Sequence, residues 1–133
     1  MCYYIGIRTN LILENSENRF FIEGTEVMVS DITRRQKQKE VEKYYYKLTL
    51  GGCSCGMVNS KDSALNQSIR SFLSKFPANQ ETEIMLHWAG EDNYEIYNNY
   101  EKIRPKMKQH IMSKEDFLKL YPSVKENSLY VLI

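Results

Sequence analysis

Sulfur, imidazole and indole are scarce in this chain: 133 residues include three cysteines, two histidines and one tryptophan. An odd cysteine count, with Cys53 and Cys55 one residue apart, does not build a secreted disulfide framework, so reduced thiols in the cytoplasm are the expectation. No apolar run approaches the roughly 20 residues of a transmembrane helix, and the opening MCYYIGIRTN lacks the charged and long apolar regions of a signal peptide. There is no G-x-G-x-x-G, no Walker loop, no G-x-S-x-G and no H-E-x-x-H, which removes the familiar nucleotide, hydrolase and metalloprotease readings. Nor does any repeat of roughly 20 to 50 residues recur. Charge of one sign is also lacking: a formal net charge of +1 gives no global field toward nucleic acid or an anionic membrane. The partners expected are therefore a protein, a small ligand or a second copy of the chain.

What is present reads as one globular domain over residues 1–133, since 42% of residues are hydrophobic and 26% charged, enough to build a core and too few charges for disorder. Residues 43–58, KYYYKLTLGGCSCGMV, join the clearest strand to the most suggestive chemistry. Tyr44, Tyr46, Leu48 and Leu50 alternate with Tyr45, Lys47 and Thr49, the period of two of a half-buried strand whose apolar side faces the core. Residues 2–8 alternate in the same way, and residues 19–22 and 26–30 read as extended segments around a turn at Gly24. Residues 33–43, TRRQKQKEVEK, hold one apolar residue and read as a mobile charged loop.

Residues 59–77 carry the strongest helical pattern: Leu65, Ile69, Phe72, Leu73 and Phe76 form one apolar stripe, with Ser60 or Ser63 as cap and Pro77 as stop. Residues 83–89 read as a strand with Ile84, Leu86 and Trp88 on one face and Met85 and His87 on the other. After a turn at residues 90–93, residues 94–98 are read as the returning strand of a hairpin, although Ile96, Tyr97, Tyr100 and Ile103 also recur at helical spacing. Residues 106–112 suit an edge strand; Ser113 and Asp116 make a capping box for a short helix before Pro122; and residues 129–133, LYVLI, suit a strand buried on both faces. The expected fold is α+β, a mostly antiparallel sheet of five or six strands with two helices packed on one face.

Three groups of residues carry candidate chemistry. In an extended stretch Cys53 and Cys55 point the same way and can chelate one soft ion such as zinc or copper(I), with Cys2 and His87 as the economical further ligands and His110 the other histidine. The opposing expectation is that these cysteines pack as small hydrophobes at a strand end. Cys55 also precedes the first helix closely enough for a helix dipole to activate its thiol, although no base stands close to it in sequence; Cys2 would become N-terminal on loss of Met1, with its own amine as base, although the rest of an amidase constellation is not visible. A second group, Tyr94, Tyr97 and Tyr100 with Tyr44 to Tyr46, offers rings for stacking a ligand. His87, Glu91 and Asp92 form a third, an imidazole and acidic grouping after a strand. Arg34, Arg35, Lys37 and Lys39 make a basic cluster that would touch phosphates if its loop lay over a groove; Glu40 and Glu42 dilute it toward a solvated loop. The resulting expectation is a binding or interaction domain without catalysis of its own, the alternative being a thiol site that binds metal or does redox chemistry.

Overall fold

The computed structural model describes residues 2–13, 18–89 and 95–133. Strands β1 (Cys2–Thr9), β2 (Arg19–Phe21), β3 (Met28–Asp31), β4 (Tyr44–Thr49), β5 (Thr82–Ala89), β6 (Lys108–Met112) and β7 (Ser128–Leu132) form a single sheet in the order β2-β3-β4-β1-β5-β7-β6. Among the described residues the α-helices are α1 (Ser63–Leu73), α2 (Glu95–Asn98), α3 (Tyr100–Ile103) and α4 (Lys114–Leu120), and none is long and apolar enough to cross a membrane. The α+β class stands, but five or six mostly antiparallel strands are corrected to seven strands, among the described residues, in a mixed sheet. The mixing has a local cause. Ser113 accepts a hydrogen bond from the Asp116 amide and starts α4 directly after β6, so β7 follows a helical crossover and pairs with β6 in parallel.

Alternation along the strands divides the apolar residues between two faces of the sheet. On the first, Ile5, Ile7, Leu48, Ile84 and Leu86 join Ile69, Phe72 and Leu73 of α1 and Phe117 of α4 in one buried cluster. The cap of α1 is Asp62, which accepts from the Leu65 amide, rather than Ser60 or Ser63. On the second face Tyr45, Met85, Leu129 and Val131 join Ile96 of α2 and Tyr100 and Ile103 of α3. The hairpin strand expected at residues 94–98 is corrected to helix over its described part, Glu95–Asn98, and the apolar spacing of Ile96, Tyr100 and Ile103 is the pattern that prevails. Strand β4 accordingly buries side chains on both faces, not one.

Gly6 makes the second layer fit. A Cβ at this position would lie 2.5 Å from Ile96 Cδ1, 2.9 Å from Ile96 Cγ1 and 3.1 Å from Tyr100 Cε2. The missing side chain is the socket in which α2 and α3 sit. Beside it a buried ionic network ties α3 to the strands: Arg104 donates to both oxygens of Glu83 (2.6 and 2.9 Å), and the Tyr100 hydroxyl donates to Glu83 Oε1 (3.3 Å). Arg8 stands 2.5 Å from Glu101, which also accepts from the Tyr45 hydroxyl (2.6 Å). Each buried charge thus faces an opposite one, the condition for tolerating it there.

Two expectations follow from this packing. Gly6→Ala should lower stability by about 1 to 3 kcal/mol through overpacking, and Ile96→Val in the same chain should recover part of the loss; additive losses in a denaturant double-mutant cycle would place the strain elsewhere. Burial raises the Tyr45 hydroxyl to about 12, its bond to Glu101 adding to the shift, and burial likewise raises Tyr46, Tyr100 and Tyr121. The fold therefore favours the protonated phenols. The contribution of Tyr45 is complete below the ordinary tyrosine value of roughly 10 and is lost as pH climbs through about 12, and the other three phenols act in the same direction. Alkaline unfolding should start above the ordinary value and coincide with a cooperative rise in tyrosinate absorbance; a gradual rise with the fold intact would contradict it.

Candidate metal centre

Strand β1 lies between β4 and β5 and must satisfy backbone groups on both edges. On the β5 side pairing runs the whole length, from Cys2 opposite Ala89 to Thr9 opposite Thr82. On the other side β4 pairs with β1 only from Thr9 back to Ile5, the last pair being Ile5 with Leu48. Beyond that point the chain turns through Gly51 and Gly52, both with positive φ, and Leu50 bridges back to Cys53. Glycine is needed because side chains are strained in that region. The segment Cys53 to Cys55 then takes over the vacated edge of β1.

Ser54 does the joining. Its amide donates to the Tyr3 carbonyl (2.8 Å), its hydroxyl accepts from the Ile5 amide (2.8 Å), and the same hydroxyl donates to the Leu48 carbonyl. The residue is fully buried, so the hydroxyl is inserted into the sheet as a link between two strands. With Ser54 turned inward, the cysteines on either side turn to the place where β1 begins. The Sγ atoms of Cys2, Cys53 and Cys55 all lie within 4.8 Å of one another. Cys2 and Cys53 are partly buried and Cys55 is exposed; all three are free thiols. The Tyr3 amide donates to Cys55 Sγ (3.2 Å), a contact that fixes the sulfur's position. An exposed Cys55 is not explained by burial of a small hydrophobe.

Three sulfurs this close match the demands of a soft ion. With zinc–sulfur bonds of about 2.3 Å, sulfurs of a tetrahedral site stand roughly 3.8 Å apart, which the cluster reaches by a small contraction. The donor set is purely thiolate, which selects zinc or copper(I) over magnesium or calcium.

Cys2, Cys53 and Cys55 are thus the expected ligands that the fold assembles; His87 is not among the grouped ligand atoms. His87 sits opposite Tyr4 in the β1–β5 ladder, while Cys2 is opposite Ala89. His110 lies on β6, stacked on Tyr130 at 5.0 Å and within 3.2 Å of the Ser128 hydroxyl. The dipole argument for Cys55 is corrected: the cysteine opens a 3-10 turn, Cys55–Met57, and α1 starts only at Ser63. Glu91, Asp92 and Tyr94 lie outside the described residues. Tyr100 is fully buried in the second cluster, whereas Tyr97 faces a cleft beside Arg34, Arg35 and Lys47.

Sequence reasoning missed Ser54 and the Tyr3 amide, the two groups that hold the cluster. A signal for Ser54 was available. In an extended Cys-Ser-Cys triplet the middle side chain points opposite to its neighbours, and a hydroxyl pointing inward needs buried partners. Comparison of the chain with family models, with curated proteins and with solved structures finds no match in any of the three, so the functional reading rests on this geometry.

Proposed function

We propose that this domain binds one soft metal ion, zinc or copper(I), through the thiolates of Cys2, Cys53 and Cys55. The observation that carries the reading is the convergence of three sulfurs from two distant chain segments to within 4.8 Å. Further support comes from the amide of Tyr3, which bonds the Cys55 sulfur, and from the buried Ser54, which holds the segment carrying Cys53 and Cys55. Such outer contacts orient ligands and tune their affinity for metal. Three protein ligands with Cys55 exposed leave one flank of the ion open to solvent, an arrangement suited to reversible loading or to a fourth ligand from outside. Thiolate ligands also require a reducing compartment, in keeping with the cytoplasm expected from cysteine usage.

Elemental analysis of untagged protein purified without chelator should find about one zinc or copper per chain, with the thiols protected from alkylation until chelator is added. Cys2→Ser, Cys53→Ser and Cys55→Ser should each lower metal affinity by at least tenfold, against little change for Met57→Leu. His87→Gln should leave the affinity within about threefold. No metal, together with fast and independent alkylation of the thiols, would refute the site, and a large loss in His87→Gln would make the histidine a fourth ligand.

Ser54→Ala tests the scaffold under the sulfurs. Removing the hydroxyl leaves the Ile5 amide and the Leu48 carbonyl without the group that joins them, a loss of about 1 to 3 kcal/mol. Denaturant unfolding should show that loss, and metal affinity should fall although every ligand is present. Unchanged affinity in a destabilised Ser54→Ala protein would mean that the sulfurs are positioned without it.

A further inference from the structure

The second face of the sheet is covered unequally. Strands β4, β5 and β7 contribute to the cluster under α2 and α3, whereas β2 and β3 contribute nothing to it. Their exposed part forms the floor of a cleft of about 820 Å³, walled by the 3-10 turn Thr33–Arg35 and by Tyr97 of α2. That volume lies within the range of small-molecule sites. The loop that the sequence assigns to solvent therefore has its first residues over a groove, and Gln36 fastens it there by donating to the carbonyls of Ile96 and Tyr97.

Register sets the chemistry of the floor. Arg19 pairs with Ser30, Ser30 with Lys47 and Lys47 with Gly6, so Arg19, Ser30 and Lys47 form one row across three strands. Arg34 and Arg35 come from the wall, giving four cations against one carboxylate, Asp31, which already accepts from the Thr33 amide (2.9 Å). Among the described residues none of the four cations lies within ion-pair distance of a carboxylate. Two of them converge on a single ring: Lys47 Nζ lies 4.3 Å and the Arg35 guanidinium 4.7 Å from the Tyr97 centroid. Burial and then Arg35 lower the Lys47 ammonium from its ordinary value, as expected of a cation held without an anion. An aromatic ring gathers cations but does not neutralise them.

We infer that this cleft binds a small molecule carrying two or more phosphate groups, held by Arg19, Arg34, Arg35 and Lys47. Guanidinium groups match phosphate oxygens in pairs, and Lys47 supplies a point charge at the buried end. The floor cations stand two strands apart, about 10 Å at the backbone, a span suited to a phosphate chain rather than to one tetrahedral anion. The near-zero net charge of the protein opposes a long polyanion such as RNA. Inorganic pyrophosphate and a nucleotide share the recognised chemistry, and the experiment separates them.

Isothermal titration of the full chain with pyrophosphate, with ATP and with single-stranded RNA should be done with chelator present, so that the outcome is independent of the cysteine site. Saturable 1:1 binding of pyrophosphate or ATP is expected, with affinity falling at least tenfold in Lys47→Gln and in Arg35→Gln and severalfold in Tyr97→Leu. Lys119→Gln, the same charge change at an exposed residue paired with Glu115, should alter affinity less than twofold. ATP binding at least tenfold tighter than pyrophosphate would identify a nucleotide ligand; equal affinity would identify the phosphate chain alone. Thermal unfolding of each variant separates lost binding from lost fold, and Arg19→Gln, at an exposed edge strand, serves where Lys47→Gln unfolds. No saturable binding, equal losses in Lys119→Gln, or RNA binding that neither phosphate ligand displaces would overturn the inference.

Discussion

Strand β1 runs longer than the partner on one of its edges, and this mismatch shapes the candidate metal centre. Beyond Ile5, β4 no longer supplies hydrogen-bonding groups, and a buried strand edge cannot be left unpaired without a cost of about 1 to 3 kcal/mol per group. A simple continuation of β4 would satisfy the edge but would place Leu50 and its successors there. Instead the chain doubles back through two glycines and offers Ser54, whose amide and hydroxyl together serve Tyr3 and Ile5. Cys53 and Cys55 are carried to the start of β1 as a result. The convergence of three sulfurs is therefore produced by backbone accounting, and the cluster shares its support with the sheet itself.

The same strand explains how the second face is arranged. Side chains at Cys2, Tyr4, Gly6 and Arg8 all project to that face, and each meets a different demand. Cys2 joins the sulfurs, Tyr4 lies under the Lys47 ammonium at 5.7 Å, Gly6 admits Ile96 and Tyr100, and Arg8 reaches Glu101 and Glu83. Because Gly6 lets α2 settle close to the sheet, Tyr97 comes within reach of Lys47, the residue paired with Gly6 in β4. The wall of the cleft is thus set by an absent side chain in the neighbouring strand.

Much of this was legible in sequence where the signal is local. Alternation located β1, β4 and β5, the apolar stripe located α1, and the capping box at Ser113 located α4. Cys53 and Cys55 bring their sulfurs close together with that of Cys2, although through a bend at Ser54 rather than the extended stretch that the sequence suggests. What could not be read depends on pairing between distant strands. The choice between strand and helix over Glu95–Asn98 is decided by the socket at Gly6, about ninety residues away, and not by the intrinsic preferences of Ile96 and Tyr97. The row Arg19, Ser30 and Lys47 exists only once the register of β2, β3 and β4 is known, so three unremarkable polar residues become the floor of a cleft. The distance of His87 from the sulfurs is likewise set by strand pairing, which places it opposite Tyr4 and outside the grouped ligand atoms.

Register also accounts for the robustness of the arrangement. A slip of one residue in β1 would exchange Cys2, Tyr4, Gly6 and Arg8 with Tyr3, Ile5, Ile7 and Thr9. Ile5 and Ile7, both almost fully buried against α1 and α4, would lose their cluster, at about 1.5 to 3 kcal/mol each, and an isoleucine would be driven into the position that Ile96 and Tyr100 occupy. Arg8 would leave Glu83 and Glu101 without one of their cations. The apolar requirement of one face and the steric requirement of the other therefore select the same register. Cys2, at the end of the strand, is carried to the sulfur cluster by constraints that act three to six residues away and have nothing to do with sulfur.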